Sequence, residues 1–132
     1  MKYFYAVVHK DEGSAYGVHF PDLPGCFSAA DDLNDVVPNA IEAMELWLED
    51  RAEPEPEASS VERIRELAAG DLAEGAFLVL VPRMTTSGKL TRVNLSLDMG
   101  TLAAIDAAAS ARKLTRSAFL AEAARNEIQG RH

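Results

Sequence analysis

The sequence predicts an α+β protein made of two small modules, a β-β-β-α-α-β unit followed by a shorter β-α-α unit. Two observations carry this. Apolar runs of strand character and helical stripes alternate in that order along the chain. The charge then divides it: residues 1–88 hold 6 Lys and Arg against 17 Asp and Glu, a net of −11, while residues 89–132 hold 7 against 4, a net of +3. The whole-chain charge of −8 over 132 residues therefore averages an acidic module with a mildly basic one. Such an asymmetry points to two different partners.

Within the first module, residues 2–9 are aromatic and β-branched and suit a strand covered on both faces. Asp11 to Ser14 is a turn cluster, and Ala15 to Phe20 resumes a strand, which makes a hairpin. Pro21-Asp22-Leu23-Pro24-Gly25 cannot continue a ladder, because proline lacks the N–H. Cys26 to Ala29 reads as a third short strand. Asp31 or Asp32 caps the next helix, with Asp35 in its first turn. Its apolar stripe is Val37, Ile41, Met44 and Leu48, and Glu42, Glu45 and Glu49 take another face. Pro38 either marks a start near Val37 or kinks the helix.

The stretch Arg51 to Ala58 is a Pro/Glu-rich loop without apolar anchors. Ser59 and Glu62 have the spacing of a capping box and open a short helix with Ile64 and Leu67, which Gly70 ends. Ala76 to Val81 is a continuous apolar run closed by Pro82, expected as a buried strand. The helices are expected on one face of the sheet. The first domain thus covers residues 1–84, with a polar linker over 85–90 and the second domain over 91–132.

In the second domain Arg92 to Leu97 alternates strictly. Val93, Leu95 and Leu97 share one face, and Arg92, Asn94 and Ser96 the other. Asp98 or Thr101 caps a helix bearing Leu102, Ile105 and Ala109. Thr115 or Ser117 starts a last helix with Phe119, Leu120, Ala123, Ala124 and Ile128. About forty residues cannot bury a self-sufficient core without metal, disulfide or oligomerisation. The single cysteine, Cys26, allows no internal disulfide and no structural zinc set. Dimerisation remains, with the strand pairing antiparallel to its copy and Val93, Leu95 and Leu97 in the dimer core. This order of elements resembles the ribbon-helix-helix class of DNA-binding domains. The resemblance implies that Arg92, Asn94 and Ser96 read bases in the major groove. It also implies that Thr115, Arg116 and Ser117, at the start of the second helix, hold a phosphate.

A second resemblance lies in the acidic module. Tyr16-Gly17-Val18, Phe20-Pro21-Asp22-Leu23-Pro24-Gly25-Cys26, Ser28 with the acidic cap, and Asn39-Ala40 ahead of Glu42-Ala43 are similar to the HicB family of antitoxins. The likeness is strongest over residues 1–50 and continues more weakly to Pro82, and many such antitoxins carry a C-terminal DNA-binding domain. It implies a partial ribonuclease H-like fold that binds and blocks a HicA-like toxin, an mRNA-cleaving ribonuclease. Asp22, in the most specific stretch, is the residue expected at the toxin face. An acidic antitoxin complements a basic toxin electrostatically. The second domain would then bind operator DNA and repress the toxin–antitoxin operon, as a homodimer or a dimer of dimers in the bacterial cytoplasm.

Other classes fit less well. No run approaches the ~20 apolar residues of a membrane helix, and the first residues lack the features of a signal peptide. A metal-nuclease reading would need Asp11, Glu12, Asp22, Asp31 and Asp32 to converge, yet turns and caps already explain most of them. No catalytic residue, metal or cofactor is expected. His9, His19 and Cys26 contain no close ligand pair and read as strand histidines and an apolar thiol. Trp47 reads as core, and the acidic tract from Glu49 to Glu57 as a solvated linker. The competing function is a stand-alone transcriptional repressor whose acidic domain senses a ligand or oligomerises. A short basic reading frame beside the gene would favour the antitoxin.

Overall fold

The aromatic and β-branched run at the start becomes β1 (Lys2–Lys10), the strand to which the rest of the first unit attaches. The computed structural model describes residues 2–49, 51–84 and 89–130. The chain divides into two units, Met1–Met84 and Thr85–His132. In the first, β2 (Tyr16–His19), β3 (Phe27–Ala30) and β4 (Phe77–Arg83) complete an antiparallel sheet of order β3-β2-β1-β4. The helices are α1 (Leu33–Glu49), α2 (Val61–Leu67) and α3 (Ala69–Ala73).

Successive residues of β1 point to opposite faces, and the two faces are used differently. Phe4, Ala6 and Val8 join Val18 and Val81 against Val36, Ala40, Ile41 and Met44 of α1, in one buried cluster. Burying each of the larger of these side chains stabilises the fold by about 1.5–3 kcal/mol. Val7 points the other way and is also fully buried, as are Ile64 of α2 and Ala68. Asp71 of α3 reaches His9 and His19 on this second face. The expectation of helices on one face is therefore corrected: α1 lies on one side, and α3 meets the sheet on the other.

Several local expectations change for identifiable reasons. Pro38 neither starts nor ends the helix: α1 begins at Leu33, and Asp32 Oδ1 accepts from the Asn34 amide at 3.1 Å. The cap of α2 is Ser60, whose side chain accepts from the Arg63 amide, because Ser59 is engaged by Asp22 instead. Gly70 lies inside a third helix, and the chain turns at Gly75, whose φ of +99° favours glycine. Strand β4 runs through Pro82, which faces Tyr3, to Arg83. It is an edge strand, where a proline nitrogen turned outward costs no ladder bond. The edge also leaves Phe77 and Leu80 exposed, so β4 is less buried than its composition suggests.

The Pro/Glu-rich loop has a polar anchor. Glu55 accepts from Lys2 Nζ at 3.2 Å and from Arg83 Nε at 2.7 Å, and Lys2 and Arg83 face each other across β1 and β4. Asp50, in the acidic tract, lies outside the described residues, as do residues 85–88 of the expected linker.

In the second unit, α4 (Met99–Ala111) is capped by Asp98, which accepts from the Thr101 amide at 2.9 Å. Helix α5 (Arg116–Ile128) is capped by Thr115, which accepts from the Ala118 amide at 3.1 Å. Between them Lys113 takes a left-handed φ of 57°. The strand expected over Arg92–Leu97 is not formed within the single chain. A strand needs a ladder partner for its backbone groups, and this unit has no other strand among the described residues.

Glu55 yields a test. The hydrogen bond from Arg83, helped by Lys2, holds its carboxyl below the ordinary range. A carboxyl depressed on folding stabilises above its unfolded pKa, and that contribution disappears as pH falls through the folded value. Glu55→Gln is expected to cost about 0.5–1 kcal/mol at neutral pH in urea unfolding. The gap from the wild-type chain should close once the medium is acidic enough to protonate Glu55.

Candidate functional site

The Pro-Asp-Leu-Pro-Gly-Cys stretch after β2 is held from every side. Hydrogen bonds from the Leu23 amide to the Phe20 carbonyl and from the Cys26 amide to the Leu23 carbonyl fold it into consecutive turns. Leu23 between them is fully buried. Asp22 accepts from the Ser59 amide at 2.8 Å and from Ser59 Oγ at 2.6 Å, so both carboxylate oxygens are engaged within the chain. The Pro24 carbonyl accepts from Trp47 Nε1 at 3.0 Å. Gly25 next to it has a φ of +87° and faces that same indole nitrogen, so an added side chain there would be strained. Asn39 Nδ2 donates to the Ala29 carbonyl at 2.9 Å and ties α1 to β3. Burial pushes the Cys26 thiol up to about 11, which keeps it neutral.

What this unit presents outward is acidic. Asp11, Glu12, Asp31, Asp32, Asp35, Glu42, Glu45 and Glu49 are all exposed. Among the described residues Asp11, Glu12, Asp22, Asp31 and Asp32 do not converge into a metal-binding group. Trp47 is half-buried against the core, with the Arg51 guanidinium 3.7 Å over its ring. Sequence reasoning missed three large apolar side chains left open on β3 and α1, namely Phe27, Leu33 and Leu46. Leu46 sits one residue from Glu45 on the outward side of α1, and that placement was its only signal.

The second unit is nearly coreless by itself. Among its described residues only Ala109 and Gln129 are buried. Val93, Leu95 and Leu97 are 73%, 64% and 42% exposed. Leu95 and Leu97 border an open cleft of about 480 Å³ shared with Leu102 and Leu120. Arg92, Asn94 and Ser96 are exposed as well.

At the start of α5 the three expected phosphate contacts differ. Thr115 Oγ1 is committed as the helix cap. Arg116 makes a forked pair with Asp106 of α4, Nε to Oδ1 and Nη2 to Oδ2, both at 2.8 Å. That pairing raises the guanidinium pKa and lowers that of the Asp106 carboxyl. Ser117 is exposed at the rim of the cleft. The first-turn amides of α5 have no partner inside the helix, as at any helix start.

The family described as HicB_like antitoxin of bacterial toxin-antitoxin system matches residues 4–124. The crystal structure of the Burkholderia pseudomallei antitoxin HicB is 36% identical, with 98% of each chain covered and a TM-score of 0.53. A chain of the HicA3 and HicB3 toxin-antitoxin complex is similar in fold, with a TM-score of 0.55 and 24% identity over 64% of this chain and all of that one. An uncharacterised 14.9 kDa protein of the rep-hol intergenic region of Haemophilus phage HP1 is 28% identical over 128 residues, 94% of this chain and 96% of its own.

Replacing Asp22 isolates the role of the turn segment. Loss of a half-buried carboxylate that accepts two hydrogen bonds costs about 1–3 kcal/mol. Asp22→Ala is expected to lower the urea midpoint accordingly, and Ser59→Ala to lower it less, since the backbone amide still donates.

Proposed function

Because the chain belongs to the HicB-like antitoxins of bacterial toxin–antitoxin systems, we propose that its first unit neutralises a HicA-like mRNA-cleaving toxin. In the same proposal its second unit dimerises, binds operator DNA and represses the operon. As an antitoxin the chain is a regulator and not an enzyme. The observation that carries the proposal is the family match, which extends through both units from residue 4 to residue 124. Among the described residues no helix is long and apolar enough to cross a membrane.

For the toxin the supporting physics is charge. A ribonuclease that handles RNA presents positive charge, and the −11 of residues 1–88 would steer the two together. Phe27, Leu33 and Leu46 offer apolar anchors of the kind that supply most binding energy. Asp22 enters this proposal by shaping the turn from within, since its oxygens are already bonded. The β3-β2-β1 meander backed by α1 suits the partial ribonuclease H-like fold that the family resemblance implies.

For DNA the support is the uncovered strip Val93-Leu95-Leu97 beside the polar alternation Arg92-Asn94-Ser96. Pairing this segment antiparallel with a second copy would supply the missing ladder and cover the strip with the helices of both chains. The polar residues would then face the major groove. Arginine suits guanine and asparagine suits adenine. Phosphate would sit at the start of α5, on its free amides beside Thr115 and Ser117. Arg116 would join only by giving up Asp106.

Co-expression with the toxin encoded beside the gene is expected to restore growth, and the two proteins should co-purify. Operator binding without such rescue would favour the stand-alone repressor. Arg92→Ala should cost about 1–3 kcal/mol of operator affinity and relax preference at one base, read by mobility shift. Leu95→Asp should yield a monomer in light scattering, because it places a charge in the paired strip. Asp106→Asn frees Arg116 and should tighten binding to all sequences alike, with a steeper salt dependence.

A further inference from the structure

We propose that the first unit binds one divalent transition-metal ion of the zinc class through His9, His19 and Asp71. Two strands and a helix bring these groups together on the sheet face away from α1. His19 faces Val7 across β1 and β2, and His9 lies two residues beyond Val7, so both imidazoles leave the same face. Gly17 faces His9 and places no side chain between the rings. The two imidazoles stack with centroids 5.6 Å apart and planes inclined by 19°.

The third group comes from α3. The Asp71 carbonyl accepts from the Glu74 and Ala76 amides at 3.1 Å each, which fixes its backbone. Its carboxylate oxygens lie 3.4 Å from His9 Nε2 and 3.8 Å from His19 Nε2. The three ligating atoms all lie within 4.8 Å of one another. Zinc holds imidazole nitrogen and carboxylate oxygen at about 2.0–2.2 Å, so neighbouring ligands of a tetrahedral ion stand about 3.4 Å apart. One pair already has that spacing, and small rotations of half-exposed side chains close the others.

The donor set selects the ion. Two imidazoles and one carboxylate suit zinc and its borderline neighbours, whereas magnesium and calcium favour oxygen ligands alone. Three protein ligands at a half-exposed position leave the fourth place to water. The ion would tie the β1–β2 hairpin to α3, so it would act on the stability of the unit.

The test is calorimetric titration of the full-length, chelator-stripped protein with Zn²⁺, repeated with Co²⁺ to follow its visible absorption, alongside melting with and without metal. Expected are one ion per chain and a rise in melting temperature. His9→Gln, His19→Gln and Asp71→Asn should each weaken binding at least about ten-fold and lose the cobalt band, while Cys26→Ser and His132→Gln leave both intact. Circular dichroism of the metal-free variants reports whether each is folded. Substoichiometric binding by the wild-type chain overturns the proposal, and so does unchanged affinity in a folded His9 or His19 variant.

Discussion

The first unit depends on the pairing of β1, which is bonded along both edges and used on both faces. Its even-numbered residues Phe4, Ala6 and Val8 build the core under α1, while Val7 and His9 point to the opposite face, where His9 meets Asp71 of α3. A slip of one residue would exchange those faces and destroy both arrangements together. Polar side chains pin the long connection from α1 to α2. Glu55 joins it to the ends of β1 and β4, and Asp22 joins it to the turns after β2. These polar bonds do what an apolar anchor would do elsewhere, and they let a segment rich in proline and glutamate follow one path.

Among the described residues the second unit has no strand of that kind. Its two helices are joined by Arg116–Asp106 and Arg112–Glu122, each ten residues apart in sequence, and not by a shared core. Exposed ion pairs of this sort contribute little, and the apolar strip at Val93, Leu95 and Leu97 stays open. In the proposed dimer, folding and association of such a unit would be inseparable. The pairs also commit two of its arginines internally. In the proposed complex this places more of the base recognition on Arg92 and Asn94 and more of the phosphate contact on backbone amides.

Local features were legible in the sequence. The strands of the first unit, the stripe of α1 and the capping residues Asp98 and Thr115 follow from periodicity and side-chain chemistry that act within a few residues, whereas the strand expected over Arg92–Leu97 is not formed within the single chain. What escaped was set by tertiary contact. Ser59 has the spacing of a helix cap, but Asp22, far away in sequence, claims it and passes the role to Ser60. Gly70 resembles a helix stop, yet Gly75 takes the left-handed turn. Pro82 reads as the end of a strand, and only the edge position of β4 lets the strand continue. Asp71 could not be associated with His9 and His19, because nothing in the spacing reveals that α3 returns to their face of the sheet.

The turn segment that most strongly marked the family is, in three dimensions, a piece of architecture. Leu23 is buried, Asp22 and the Pro24 carbonyl are bonded within the chain, and Gly25 supplies a backbone conformation. A motif can therefore be specific because many internal bonds must be met at once, without touching a partner. By the same reasoning, recognition of the proposed basic toxin should be sought among groups that folding leaves unspent. On this unit those are the exposed carboxylates around α1 and the uncovered Phe27, Leu33 and Leu46. Charge at such a face governs the rate and orientation of encounter, while desolvated apolar side chains set how long the complex lasts.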